Sequence, residues 1–182
     1  SSDGRYVAFE SFARNLTATT EDQFTRDVFR WDRETGVTIR VTHPTATSPC
    51  IGSATATAQG FFDGQVSMSL DGGTIAWWEY CSGTYLGGTS IWRAATGTTT
   101  TYLLGTTGTM RPKVSGDGAV VVASQFDGFD DQFGTAVITV DAATGAQRSV
   151  TSPAGSQVAG VDATGSAAVI STGYGPVSRI DL

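Results

Sequence analysis

The feature that most constrains this chain is a turn that returns four times. Asp3-Gly4, Asp71-Gly72, Asp117-Gly118 and Thr164-Gly165 each precede a short apolar run: Tyr6 to Phe9, Thr74 to Trp78, Val120 to Ala123 and Ala167 to Ile170. A second turn recurs at Thr35-Gly36, Thr96-Gly97 and Thr144-Gly145. Glycine enters the φ > 0 backbone that such turns need, and Asp or Thr beside it can hydrogen-bond the turn. β-Rich runs between Gly-bearing turns predict antiparallel meanders. One strand is predicted before three of the first turns, at Gln65 to Ser69, Pro112 to Ser115 and Val158 to Val161. Others flank the second turns, ahead of them at Val28 to Asp32, Ser90 to Arg93 and Val137 to Asp141, and after them at Val37 to Thr42, Thr98 to Leu104 and Ala146 to Thr151. The runs after the first turns do not alternate cleanly between apolar and polar. Strands buried on both faces, as in stacked sheets, give that pattern.

Successive first turns lie 68, 46 and 47 residues apart. A period near 45 with four strands per unit is the signature of a β-propeller blade. The expected fold is therefore all-β, a propeller of four-stranded antiparallel blades with about three and a half blades present. The blade units fall at about 1–42, 65–104, 111–151 and 157–182, within a single propeller region. The long first spacing places an inserted loop at 43–62, rich in Thr, Ala, Ser and Pro. Only Ser1 and Ser2 precede the first turn, and the last unit reaches Leu182 before a second turn and fourth strand. An open array is thus expected, with Ser1 and Leu182 not the ends of an autonomous monomer and a ring completed by a longer chain or a second copy.

Composition bounds the function. Charged residues make up 15% of the chain and the net charge is −6, with Lys113 the single lysine. A phosphate-binding surface needs clustered Lys and Arg, so a nucleic-acid partner is not expected. No run of 18 apolar residues exists, so no membrane-spanning helix is expected. Cys50 and Cys81 are the only cysteines. An even pair in an acidic, Thr-rich chain is read as one disulfide in an exported protein, pinning the insertion to the second unit and contributing about 3–4 kcal/mol. Two buried free thiols are the other reading of the same pair.

Ser1-Ser2-Asp3-Gly4-Arg5-Tyr6-Val7-Ala8-Phe9 resembles the Ser-Pro-Asp-Gly-Lys-Tyr-Ile-Ala-Phe motif of PD40 repeats, also called WD40-like or TolB-like repeats. Asn15-Leu16, Asp27-Val28-Phe29, Asp32 and Thr35-Gly36 are similar to the second half of that motif. Later copies depart from it: Leu70 and Gly116 stand where the motif has Pro, and Thr164 where it has Asp. The resemblance implies a propeller and an extracytoplasmic, bacterial setting. It spans TolB, the propellers of tricorn and prolyl oligopeptidase-type peptidases, and some polysaccharide lyases, so it implies no single activity.

Candidate chemistry lies in loops. Asp127, Asp130 and Asp131 form one acidic cluster, and Asp22 and Asp27, with Glu21, form the equivalent one in the first unit. Oxygen-only ligand sets at such spacing suit calcium, and a solvated acidic loop is the alternative. His43 is the sole histidine, without the serine elbow or histidine set that would make it catalytic. Trp77, Trp78, Tyr80 and Tyr85 could stack on sugar, but adjacent tryptophans on a strand point to opposite faces, so at least one is expected in the core. Asn15-Leu16-Thr17 is a formal glycosylation sequon. Two functions follow: a non-catalytic extracytoplasmic scaffold binding a protein or glycan, or the propeller of a larger secreted hydrolase or lyase whose catalytic residues lie outside this chain.

Overall fold

A computed structural model describes residues 1–18, 27–42, 66–81, 86–102, 108–127, 132–172 and 175–182. Among these residues all regular structure is β, in four sheets. The first holds β1 (Tyr6–Ser11), β2 (Asp27–Asp32) and β3 (Thr38–Arg40). The second holds β4 (Ser67–Met68), β5 (Thr74–Cys81), β6 (Leu86–Arg93) and β7 (Thr98–Tyr102). The third holds β8 (Gly108–Val114), β9 (Val120–Asp127), β10 (Gln132–Asp141) and β11 (Gln147–Thr151). The fourth holds β12 (Ser156–Val161), β13 (Ala167–Thr172) and β14 (Val177–Asp181). Each strand pairs antiparallel with its sequence neighbour within its sheet.

The sheets stack face to face, and the period-2 alternation of a strand decides which residues enter which joint. Ile75 and Trp77 of β5 join Val28, Val41 and Trp92 in a core between the first and second sheets. Ala76, one residue out of phase, joins Val114, Val121, Ile138 and Val140 between the second and third. Val122 of β9 then packs with Val137, Val158, Ala168 and Ile170 between the third and fourth. Burial on both faces thus holds for β5 and β9. It fails at the two outer sheets, where Val7 of β1 is 45% exposed and Val169 of β13 is 41% exposed, because each outer sheet has one stacked neighbour among the described residues.

The Asp-Gly turns are built alike. The Ser69 and Ser115 hydroxyls each donate to the turn carboxylate two residues on at 2.6 Å, and Ser1 does the same to Asp3. Each carboxylate then accepts the N–H two residues further along, from Arg5, Gly73 and Ala119. The fourth turn exchanges these parts. Asp162 stands at the serine position and accepts from the Ser166 N–H at 2.8 Å and the Ser166 hydroxyl at 2.6 Å, so Thr164 in place of Asp leaves the turn intact.

The turns also bond to one another. The Ser2 N–H donates to the Leu70 carbonyl at 2.8 Å, Leu70 N–H to Gly116 at 2.9 Å, and Asp117 N–H to Ala163 at 2.8 Å. Gly116 fits between neighbours: a Cβ there would lie 2.9 Å from Leu70 Cδ1 and 3.0 Å from the Ala163 Cα. The motif proline would remove the donor from this ladder. Leu70 is the first central residue of its turn, a place proline otherwise favours. Leu70→Pro is accordingly expected to destabilise by about 1–2 kcal/mol, because it strands the Gly116 carbonyl. Ala163→Pro, whose N–H meets no acceptor among the described residues, should leave the urea midpoint within about 0.5 kcal/mol of wild type.

Candidate functional site

Edge strands β4, β8 and β12 approach one another across the sheet joints, whereas the opposite edges β3, β7 and β11 do not converge in this way. β4, β8 and β12 are therefore the inner strands on which the sheets meet. Two of them carry a bulge. On β8 the register passes from Met110–Ser124 to Lys113–Val122, so Arg111 and Pro112 oppose the single Ala123. On β12 it passes from Val158–Ile170 to Gly160–Val169, leaving Ala159 extra. Pro112 is fully buried in its bulge, where an edge strand tolerates a missing N–H.

Arg111 has φ of 56°, and among the described residues it is the one non-glycine with positive φ. That conformation costs an L-residue about 1–2 kcal/mol. Bulges re-aim side chains, and strained backbone gathers at sites of function. Arg111 is exposed and Lys113 half-buried, so the inner edge of an acidic chain presents two cations two positions apart.

The described aspartates, by contrast, are committed to the fold. Asp27 is buried, accepts the Thr42 hydroxyl at 2.6 Å and lies 3.8 Å from Arg40. Asp32 receives Arg5 Nε at 3.2 Å and Nη2 at 2.9 Å, which holds its carboxyl down to about 2. Asp3, Asp71, Asp117 and Asp162 are lowered by the hydroxyls of Ser1, Ser69, Ser115 and Ser166, and Asp141 by the Thr144 N–H. A carboxyl whose folded pKa is depressed stabilises the fold above its unfolded value, 3.8 here, and loses that effect as pH falls through the folded value. The melting temperature is therefore expected to hold from pH 7 to about 5 and to fall between about pH 4 and 2. Asp32→Asn should melt lower at neutral pH and show a shallower acid decline.

Most of the loop candidates lie elsewhere. Asp22, Asp130, Asp131, Cys50, His43 and Tyr85 are outside the described residues. Asp127 ends β9 and Cys81 ends β5, but their side chains, like that of Tyr80, are outside the description as well. Among the described residues no group of His, Cys, Asp or Glu is placed to hold a metal ion. Trp77 is a core residue between the first two sheets, as its strand position requires, and Trp78 is half-buried. Asn15 of the sequon is exposed. Sequence reasoning missed Arg111, for which a Pro one place before Lys113 in an otherwise regular strand was the available signal.

No protein-family model and no curated protein matches the chain. Solved structures do. TolB from Acinetobacter baumannii superposes with a TM-score of 0.53 at 15% identity, covering 98% of this chain and 41% of that one. The β-propeller domain of the Trilobed protease from Pyrococcus furiosus gives 0.57 at 11% identity, covering 97% and 54%. The fold is a β-propeller. An acylaminoacyl peptidase from Pyrococcus horikoshii, at 0.56 and 12% identity, covers 98% of this chain and 31% of its own. The chain thus spans about two-fifths of that TolB and under a third of that peptidase, and at these identities the likeness is one of fold. Within the propeller the sheets are blades, open rather than closed into a ring among the described residues. No helix among those residues is long and apolar enough to cross a membrane.

Proposed function

We propose that this propeller segment is a PD40-type, TolB-like scaffold that works outside the cytoplasm and binds a protein partner, without catalysis of its own. The observation that carries this reading is Arg111, held in a left-handed backbone conformation at a bulge of the inner strand β8. Strained backbone gathers at sites of function, and here it holds an exposed guanidinium at the edge of a sheet. Its planar donors suit carboxylates, so the partner offers an acidic segment. The aspartates engaged in the turns support the same reading, since each is spent on the fold.

Arg111→Gly tests it, because glycine takes the φ of 56° without strain. The variant should stay folded by circular dichroism and lose affinity for a fluorescein-labelled oligoglutamate peptide, which the wild type binds more tightly at low salt. Equal binding by both proteins would overturn the proposal. A second reading, the propeller of a larger hydrolase, is favoured by the peptidase propellers among the structures of the same fold. A hydrolase or lyase domain in the same open reading frame would decide for it.

A further inference from the structure

Lys113 is the single lysine of a chain with a net charge of −6, and it sits two positions beyond Arg111 on the inner strand β8. It is half-buried and makes no ion pair among the described residues. Arg5, Arg40 and Arg179, by contrast, each lie beside a carboxylate, and Arg30 lies between two rings. Drawing a cation partly out of water costs free energy that an anion beside it recovers.

The backbone on either side of Lys113 is fixed. Pro112 is fully buried, and Val114 is buried between the second and third blades. The Val114 N–H donates to the Ser67 hydroxyl of β4 at 2.9 Å, which ties this edge to the neighbouring blade. The bulge also shortens the strand. Three steps of β8, from Met110 to Lys113, match two steps of β9, from Ser124 to Val122. Two steps of an antiparallel strand rise about 6.8 Å, so the backbones of Arg111 and Lys113 stand within about 7 Å of each other. Two cations rooted that closely on a fixed backbone suit two carboxylates at a like spacing. An extended peptide offers them, because its residues i and i+2 lie on one face, about 6.8 Å apart.

We propose that Lys113 is the second contact for the acidic segment received by Arg111, and that this segment carries its acidic residues at alternate positions of an extended stretch. The inference rests on the scaffold reading and deepens it, from one ion pair to a two-point match. Arg111 supplies a planar fork of donors, and Lys113 a point charge on a flexible stem that reaches the neighbouring carboxylate. Lys113 is thus the residue that selects among acidic segments.

Two fluorescein-labelled threonine-rich peptides test it by fluorescence anisotropy at low salt, alike except for Glu-Thr-Glu in one and Glu-Thr-Gln in the other. Wild-type protein should bind the Glu-Thr-Glu peptide about three- to fivefold more tightly, the effect of one partly exposed ion pair. Lys113→Met keeps an unbranched apolar stem without the charge, and it should bind the two peptides alike while staying folded by circular dichroism. Lys113→Arg should restore the preference, which a packing role for the stem would not. A wild type without the preference, or a Lys113→Met variant that keeps it, would overturn the inference. Weaker binding by Arg111→Gly in that case leaves the scaffold reading standing. If Arg111→Gly binds both peptides as the wild type does, the two fall together.

Discussion

Trp92→Ala is expected to lower the stability of this propeller by about 3–5 kcal/mol, with an unchanged dependence on urea concentration. Trp92 is 4% exposed and packs with Val28, Val41, Ile75 and Trp77 between the first two blades. Its ring has a second load. The Arg30 guanidinium lies 4.7 Å from the Trp92 centroid and 4.4 Å from that of Tyr6, held between the two rings. Arg30 Nη1 donates to the Gly72 carbonyl at 3.1 Å, and burial pulls the guanidinium pKa down. Alanine would open a cavity and remove one wall of this sandwich, with its cation–π contact to Arg30. Val37→Ala, at a position 54% exposed, should move the urea midpoint by no more than about 0.5 kcal/mol.

Gly165→Ala should be nearly as damaging, at about 2–5 kcal/mol, while Gly36→Ala costs about 1–2 kcal/mol. Both glycines have φ near +70°, at +72° and +71°, so each substitution carries the left-handed penalty. They differ in surroundings. A Cβ on Gly36 meets nothing within 4 Å, whereas one on Gly165 would lie 2.5 Å from the Val120 Cβ and 2.7 Å from its Cγ2. Val120 is β-branched and stiff, so the third and fourth blades must move apart to admit the methyl. Equal losses for the two variants in urea unfolding would show that the blade joint contributes nothing at Gly165.

Much of this was legible in the sequence, for a physical reason. A two-residue turn with φ > 0 needs glycine, and an apolar strand marks a stacked sheet, so the turns and the strands at Thr74, Val120 and Ala167 could be placed from residue type alone. The strands proved longer at their far ends. β9 continues past Ala123 to Asp127 and β1 past Phe9 to Ser11. Backbone pairing persists there after the inter-blade core has ended, and polar side chains leave no periodic trace of it. The ladder between turns was hidden for another reason. Its donors are backbone amides, and its only mark is a residue that is not proline at Ser2, Leu70 and Gly116, which reads as a weakened motif rather than a contact. Arg111 escaped because a bulge is a mismatch of register between two strands, and one strand's sequence does not contain it. Of the acidic candidates, Asp27 lies at the start of β2, while Asp22, Asp130 and Asp131 are outside the described residues.

The central claim is that successive blades lock together where a side chain of one rests on the turn glycine of the next. Nuclear Overhauser spectra of labelled protein test this directly, because the contacts join residues more than 40 positions apart. Cross-peaks are expected from the Gly72 α-protons to the Tyr6 ring, from Gly118 to Thr74, from Gly165 to the Val120 methyls, and from Gly116 to the Leu70 methyls. A spectrum with the antiparallel cross-peaks inside each sheet, but with none of these four between sheets, would contradict the account.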